Sequence, residues 1–182
     1  MSIKRTLVLL TLLVITGVLT CGYMLQSEQK KFEMTILKLG DSSNSPACLQ
    51  MYNLIERKSE ENNIPKYILY NVAWLETRYG GPFDWDYNPY QTSSAGAQGP
   101  MQIITRYAHP HAGRTVTSKE LRTNLELNIN VSCSMLKRLY NQYGRWDIVL
   151  GYYNTGYPQV NDYASYGSST KNYKVKWVKP NF

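Results

Sequence analysis

Near the middle of the chain, Leu125, Ile129, Ser132, Leu136, Leu139 and Tyr143 recur at alternating four- and three-residue intervals, and Gly144 ends the pattern. That spacing is a buried helix face, and a helix buried over such a length must be covered by other elements. The other regular stretches are helical as well. Cys48, Met51, Tyr52 and Ile55 are spaced as a helix over Cys48 to Lys58. Asn63 to Gly81 forms another, with Pro65 suited to its first turn and Gly80, Gly81 and Pro82 as a stop signal. Thr117 and Ser118 with Glu120 make a capping box, opening a helix that breaks near Arg122 to Asn124 before the long one restarts. A last short helix from Trp146 to Tyr153 leads into Asn154, Thr155 and Gly156. The expectation is a mainly α, single small globular domain, and 182 residues at 43% apolar and 18% charged give it a substantial core.

The two ends read differently. Lys4 and Arg5 precede an uncharged apolar run from Leu7 to Leu19, an n-region followed by an h-region. Continued to Leu25, the run approaches the roughly 20 residues that span a bilayer. Residues 1–25 are therefore expected to be a signal peptide or a membrane anchor, and the chain to be exported. Cys21 after Val18, Leu19 and Thr20 resembles a lipoprotein box, with Thr where a smaller residue is usual. Residues 26–46, polar and closing in Gly40 to Pro46, read as a tether, residues 47–160 as the domain, and 161–182 as a basic tail carrying Lys171, Lys174, Lys176 and Lys179. The net charge of +7 suits an acidic polymer as partner, and export argues against nucleic acid. Cys48 and Cys133 lie in the exported part, where a disulfide between them would persist; two buried free thiols are the alternative.

On the 63–81 helix, Ile68, Val72, Leu75 and Tyr79 share a stripe, and Glu76 projects from its shoulder with Val72 and Ala73 one turn behind. Desolvation and the negative end of the helix dipole both favour a protonated carboxyl there, the state a general acid needs; a partly solvated helical glutamate is the plainer alternative. After the stop come Phe83, Asp84, Trp85, Asp86, Tyr87, Asn88, Pro89 and Tyr90. Aromatic faces beside hydrogen-bonding groups suit sugar rings, and equally suit a loop anchored in a core. Asp84 and Asp86 are the candidates nearest in sequence for the second carboxylate that glycosidases generally use. Gly96 and Gly99 permit a tight bend that could approach a ligand closely. His109 and His111 have no further histidine partners, so no metal site is expected.

Taken in order, Glu76-Thr77 at a helix end, Asn88-Pro89 and Ser93, Gly-Ala-x-Gly-x-Met-Gln from Gly96 to Gln102, Asn128-Ile129, and Tyr153-Asn154-x-Gly156 resemble the soluble lytic transglycosylase family over roughly residues 47 to 160. The resemblance implies a lysozyme-like α+β fold and no metal or cofactor. It implies Glu76 as catalytic acid and base, a cleft lined by Ser93, Gly96, Met101 and Gln102, and a floor completed by Tyr153 and Asn154. Pro100 departs from the family's usual leucine, and the segment between Glu76 and Asn88 is longer than in its compact form. The implied reaction cleaves the β-1,4 bond between N-acetylmuramic acid and N-acetylglucosamine in peptidoglycan and closes a 1,6-anhydro ring. The implied location is the periplasm or the outer face of the inner membrane, beside a secretion, conjugation or pilus assembly complex or in phage entry. Two alternatives stand beside it: a hydrolytic muramidase using Asp84 or Asp86, and a catalytically silent glycan-binding scaffold.

Overall fold

The structure, a computed structural model, describes the backbone of residues 3–157 and the side chains of residues 18–157. Among the described residues, seven helices and a two-stranded ribbon run in the order α1 (Ile3–Gly40), α2 (Ala47–Asn62), α3 (Lys66–Thr77), β1 (Ala97–Gln98), β2 (Ile103–Ile104), α4 (Thr105–Ala112), α5 (Ser118–Thr123), α6 (Leu125–Tyr143) and α7 (Trp146–Thr155). The strands pair antiparallel, Ala97 opposite Ile104 and Gln98 opposite Ile103. The mainly α class expected from the sequence is the class observed.

The stripe on α6 is the centre of the fold. Ile129, Ser132 and Leu136 are fully buried, and α6 packs against α2, α4, α5 and α7. Its ends follow the sequence signals. Thr117 and Glu120 form both halves of the capping box on α5, Asn124 caps α6 by accepting from the Leu127 N–H, and Gly144 closes it in the left-handed conformation at φ 66°. The end of α2 carries no glycine: Asn63 takes the left-handed position, and Ile64 donates back to the Ser59 carbonyl while burying its own side chain.

Three expectations are corrected. Residues 26–40 are not a tether but the C-terminal part of α1, docked on α2. Ile36 is buried, Asn53 Nδ2 donates to the Leu37 carbonyl at 2.9 Å, and Gly40 comes so close that a Cβ there would lie 2.5 Å from the Leu49 carbonyl oxygen. Only Asp41 to Pro46 links the two helices irregularly. Among the described residues no helix is long and apolar enough to cross a membrane; the side chains of most of the Leu7–Leu19 run, and the tail at 161–182, lie outside the described residues.

Second, α3 ends at Thr77 rather than at the glycines, because Arg78 turns left-handed at φ 62° and donates to the Trp74 carbonyl. Tyr79 is buried as expected, but as the residue folding back beyond that cap. Third, Cys48 and Cys133 are both buried free thiols, not a disulfide. Cys133 feels the charges of Lys58 and Glu61 near the C-terminal end of α2, whereas Cys48 is in its first turn. Ten residues of helix separate those levels, about 15 Å at 1.5 Å per residue, beyond the roughly 7 Å over which two Cα positions can be bridged.

Candidate active site

Glu76 is half-buried in the last turn of α3, and the chain around it is held unusually firmly. Beyond the Arg78 cap, the Tyr79 hydroxyl donates to the Cys48 carbonyl at 2.8 Å. Its ring stacks on Tyr70, with centroids 6.3 Å apart and planes 9° from parallel, and lies 4.9 Å from Tyr87. Burial holds the phenols of Tyr70, Tyr79 and Tyr87 well above the usual tyrosine range, so this stack is uncharged. Thr77, next to Glu76, ties the helix end to two loops at once: its Oγ1 reaches the Pro100 carbonyl and the Tyr87 hydroxyl, each at 2.9 Å, and the Ala73 carbonyl at 3.2 Å.

The turn between β1 and β2 forms the facing wall, and the buried Asn128 of α6 secures it. Its Nδ2 donates to the Gln98 carbonyl at 2.8 Å and to the Leu121 carbonyl at 2.9 Å, and its Oδ1 accepts the Met101 N–H at 2.9 Å. Every polar atom of the amide is used, which offsets the cost of burying it. Gly99, at φ 73°, is pressed against this amide: a Cβ there would lie 2.6 Å from Asn128 Nδ2 and closer still to the Leu121 oxygen. The close approach anticipated for the glycine-bearing bend is thus made to the protein itself at Gly99, while Gly96 at φ 82° is open on all sides.

Tyr153 on α7 completes the arrangement. Its hydroxyl donates to the Met101 carbonyl at 2.8 Å, and Ser132 Oγ is 3.1 Å away. Burial first, and then the negative charge of Glu76, push the Tyr153 phenol far above the usual tyrosine range. Glu76, the Met101 backbone and Tyr153 are therefore gathered from α3, the β1–β2 turn and α7.

The other sequence candidates are placed as follows. Ser93 Oγ accepts the Ala97 N–H at 3.1 Å and closes the turn that leads into β1. Met101 does not line a cleft with its side chain, which is wholly buried; it offers its carbonyl. Gln102, left-handed at φ 49°, donates from Nε2 to the Gly99 carbonyl at 2.8 Å. Asn154 is exposed at the end of α7. Asp84 is a loop brace: its carboxylate accepts the Gly80 N–H at 3.0 Å, and its charge bears on Tyr79, Tyr87 and Cys48, toward α2. Asp86 is exposed. In the aromatic loop, Tyr87 and Pro89 anchor inward, as the core-anchored reading of that stretch expects, while Phe83 and Trp85 are exposed. His109 Nδ1 accepts the Val116 N–H, and His111 Nδ1 pairs with Ser134 Oγ.

Sequence reasoning gave Thr77, Asn128 and Ser132 no role of their own. Asn128 and Ser132 did carry a signal, as polar residues on the face of α6 that packs inward. A family model described as the transglycosylase SLT domain matches residues 53–176, more than half of the chain. No curated protein and no solved structure matches.

Proposed function

The chain belongs to the transglycosylase SLT family, whose activity is of the lytic-transglycosylase type and directed at peptidoglycan, and from that premise we propose that it cleaves the β-1,4 bond between N-acetylmuramic acid and N-acetylglucosamine to leave 1,6-anhydromuramic ends. Glu76 acts first as acid, protonating the leaving glycosidic oxygen, while the substrate's acetamido group supports the oxocarbenium-like centre. As carboxylate, Glu76 then takes the proton of the muramic 6-hydroxyl, and that oxygen closes the ring at C1. Proton and bond balance is complete within enzyme and substrate, with no water consumed.

The observation that carries this assignment is the rigid seat of Glu76: the neighbouring Thr77 binds Pro100 of the facing turn, and the carboxylate acts on a Tyr153 bound to Met101 of that turn. The engagement of Asp84 by the Gly80 N–H favours a one-carboxylate mechanism over hydrolysis. Lys4 and Arg5 with the apolar run support export and attachment or processing at the membrane, and local wall opening for an envelope-spanning machine is the role that fits.

Glu76→Gln is expected to melt like the wild type and to lose nearly all clearing of purified sacculi, since the amide is nearly isosteric but carries no titratable proton. Clearing at wild-type levels by that variant would remove Glu76 from the mechanism. Mass spectrometry of the wild-type digest is expected to show anhydro ends; predominantly reducing ends, each heavier by one water, would make the enzyme a muramidase.

A further inference from the structure

Three of the aromatic rings left outside the core lie together. Phe32 on α1, Phe83 and Trp85 are 46%, 47% and 63% exposed, and they adjoin in series: the Phe32 and Phe83 centroids are 6.2 Å apart, those of Phe83 and Trp85 6.3 Å. A contiguous exposed apolar patch marks a surface that another body covers, which a lone exposed ring does not. Phe32 lies one turn nearer the apolar end of α1 than Ile36 and two turns nearer than Gly40, the residues by which α1 docks on α2. The trio therefore stands on the rim of the domain that looks toward that end. At 100° per residue, the exposed Val18, Cys21 and Leu25 fall on the same stripe of α1 as Phe32, so the patch is continuous with the approach to the apolar run.

We propose that Phe32, Phe83 and Trp85 form an interfacial anchor, set in the lipid headgroup layer of the membrane into which α1 leads, that fixes the height and orientation of the Glu76-bearing domain above it. The inference rests on attachment of the chain through its N-terminal apolar run. No charge occurs from Leu7 to Leu25. At 1.5 Å per residue that stretch covers about 28 Å, against a hydrocarbon core of about 30 Å. Phe32 then stands about 10 Å beyond Leu25 along the helix, over a headgroup layer about 5–8 Å deep. A tilt toward the loop of about 20°, ordinary for a membrane helix, lowers the rings by several ångström into that layer. Tryptophan is favoured at this level. Lys30 and Lys31 are exposed there to anionic headgroups, with Glu28 neutralised by Lys31 at 2.7 Å. Because α1 is one helix from Ile3 to Gly40 with no proline to bend it, it passes this orientation on to the domain.

The full-length chain carrying Trp74→Phe, Trp146→Phe and Trp177→Phe keeps Trp85 as its single tryptophan. Reconstituted in vesicles of phosphatidylethanolamine and phosphatidylglycerol, it is expected to float with the lipid. Its Trp85 emission is expected to lie at shorter wavelength than in detergent micelles and to be quenched by lipids brominated near the headgroup end of their acyl chains. Phe83→Ser in that background is expected to float and melt as before and to lose most of the quenching. If the three rings merely clamp α1 to the loop, Phe83→Ser lowers melting and Trp85 is unquenched from the start. A floating chain with unquenched Trp85, or with quenching unchanged by Phe83→Ser, would overturn the inference and leave attachment intact. Trp85 emission that responds to N-acetylglucosamine oligomers and not to lipid would make the patch a glycan platform and overturn it as well. A chain that does not float would remove attachment itself, and the anchor with it. None of these measurements depends on wall cleavage by Glu76, so the enzymatic assignment stands or falls separately.

Discussion

Replacing Asn128 by Asp exchanges one amide NH₂ for an oxygen at a position with no solvent exposure and three hydrogen bonds. Protonated, the new carboxyl keeps the bond from the Met101 N–H and donates to only one of the Gln98 and Leu121 carbonyls. The other carbonyl is left without its partner, at about 1–3 kcal/mol. Ionised, the carboxylate faces both carbonyl oxygens with no donor of its own and is desolvated as well. Both effects raise its folded pKa above the unfolded value of about 3.9, and a shift of roughly two to three units adds about 3–4 kcal/mol at neutral pH. Because the folded variant then holds a proton that the unfolded chain has lost, the penalty is smallest below pH ~4 and grows until pH passes the raised folded pKa. Asn128 does not titrate, so the difference between variant and wild type isolates this one group. Urea unfolding followed by tryptophan fluorescence at pH 4 and pH 7 is expected to show Asn128→Asp destabilised at both, and more strongly at pH 7. In Tm, at roughly 2–4 °C per kcal/mol for a domain of this size, the deficit at pH 7 exceeds 8 °C. A deficit that is flat with pH, or under about 1 kcal/mol at pH 7, would refute the idea that this amide clamps the turn.

Gly99→Ala is expected to cost at least 2 kcal/mol in chemical denaturation, from a left-handed backbone joined to overpacking against Leu121 and Asn128. Arg78→Gly should raise stability by about 0.5–1 kcal/mol, because the cap at φ 62° suits glycine better than any side chain; a fall in Tm would show that the contact of Arg78 with the Trp74 ring outweighs the backbone strain. Burial pushes the Cys133 thiol up to about 12 and raises Cys48 too, so Ellman's reagent is expected to titrate exposed Cys21 at once and the other two only on unfolding without reductant. A single titratable thiol in denaturant would restore the disulfide.

Much of the fold was legible because its signals are local. The four-three stripe of α6, the Thr117–Glu120 capping box, the break at Asn124 and the stop at Gly144 are each written within a few residues, and each element stands where they put it. The errors arose where a distant partner decides. Nothing in the sequence around residues 26–40 announces that Gly40 and Ile36 meet α2, so a polar surface helix read as a tether. Nor does local pattern favour Arg78 over Gly80 as the end of α3. The chain turns two residues early because Tyr79 then reaches the Cys48 carbonyl and the Tyr70 and Tyr87 rings, a gain visible only after α2 and the 83–90 loop are in place.

The site divides along the same line. Glu76 could be singled out because a carboxylate beside an apolar stripe near a helix end is a local anomaly. The residues that hold it could not, since their meaning is relational. Thr77 matters because it spans 23 residues to the Pro100 carbonyl and ten to Tyr87, and Asn128 because its single amide joins the turn, α5 and α6. Met101 shows how a motif can point to the right position for the wrong reason: its side chain is core, and what it offers the site is a carbonyl that any residue would carry. Its place is then set by volume, filling the space beneath the turn so that this carbonyl meets Tyr153. Substitution by a residue of similar size should accordingly be tolerated far better at Met101 than at Tyr153, whose hydroxyl is what binds that carbonyl from α7.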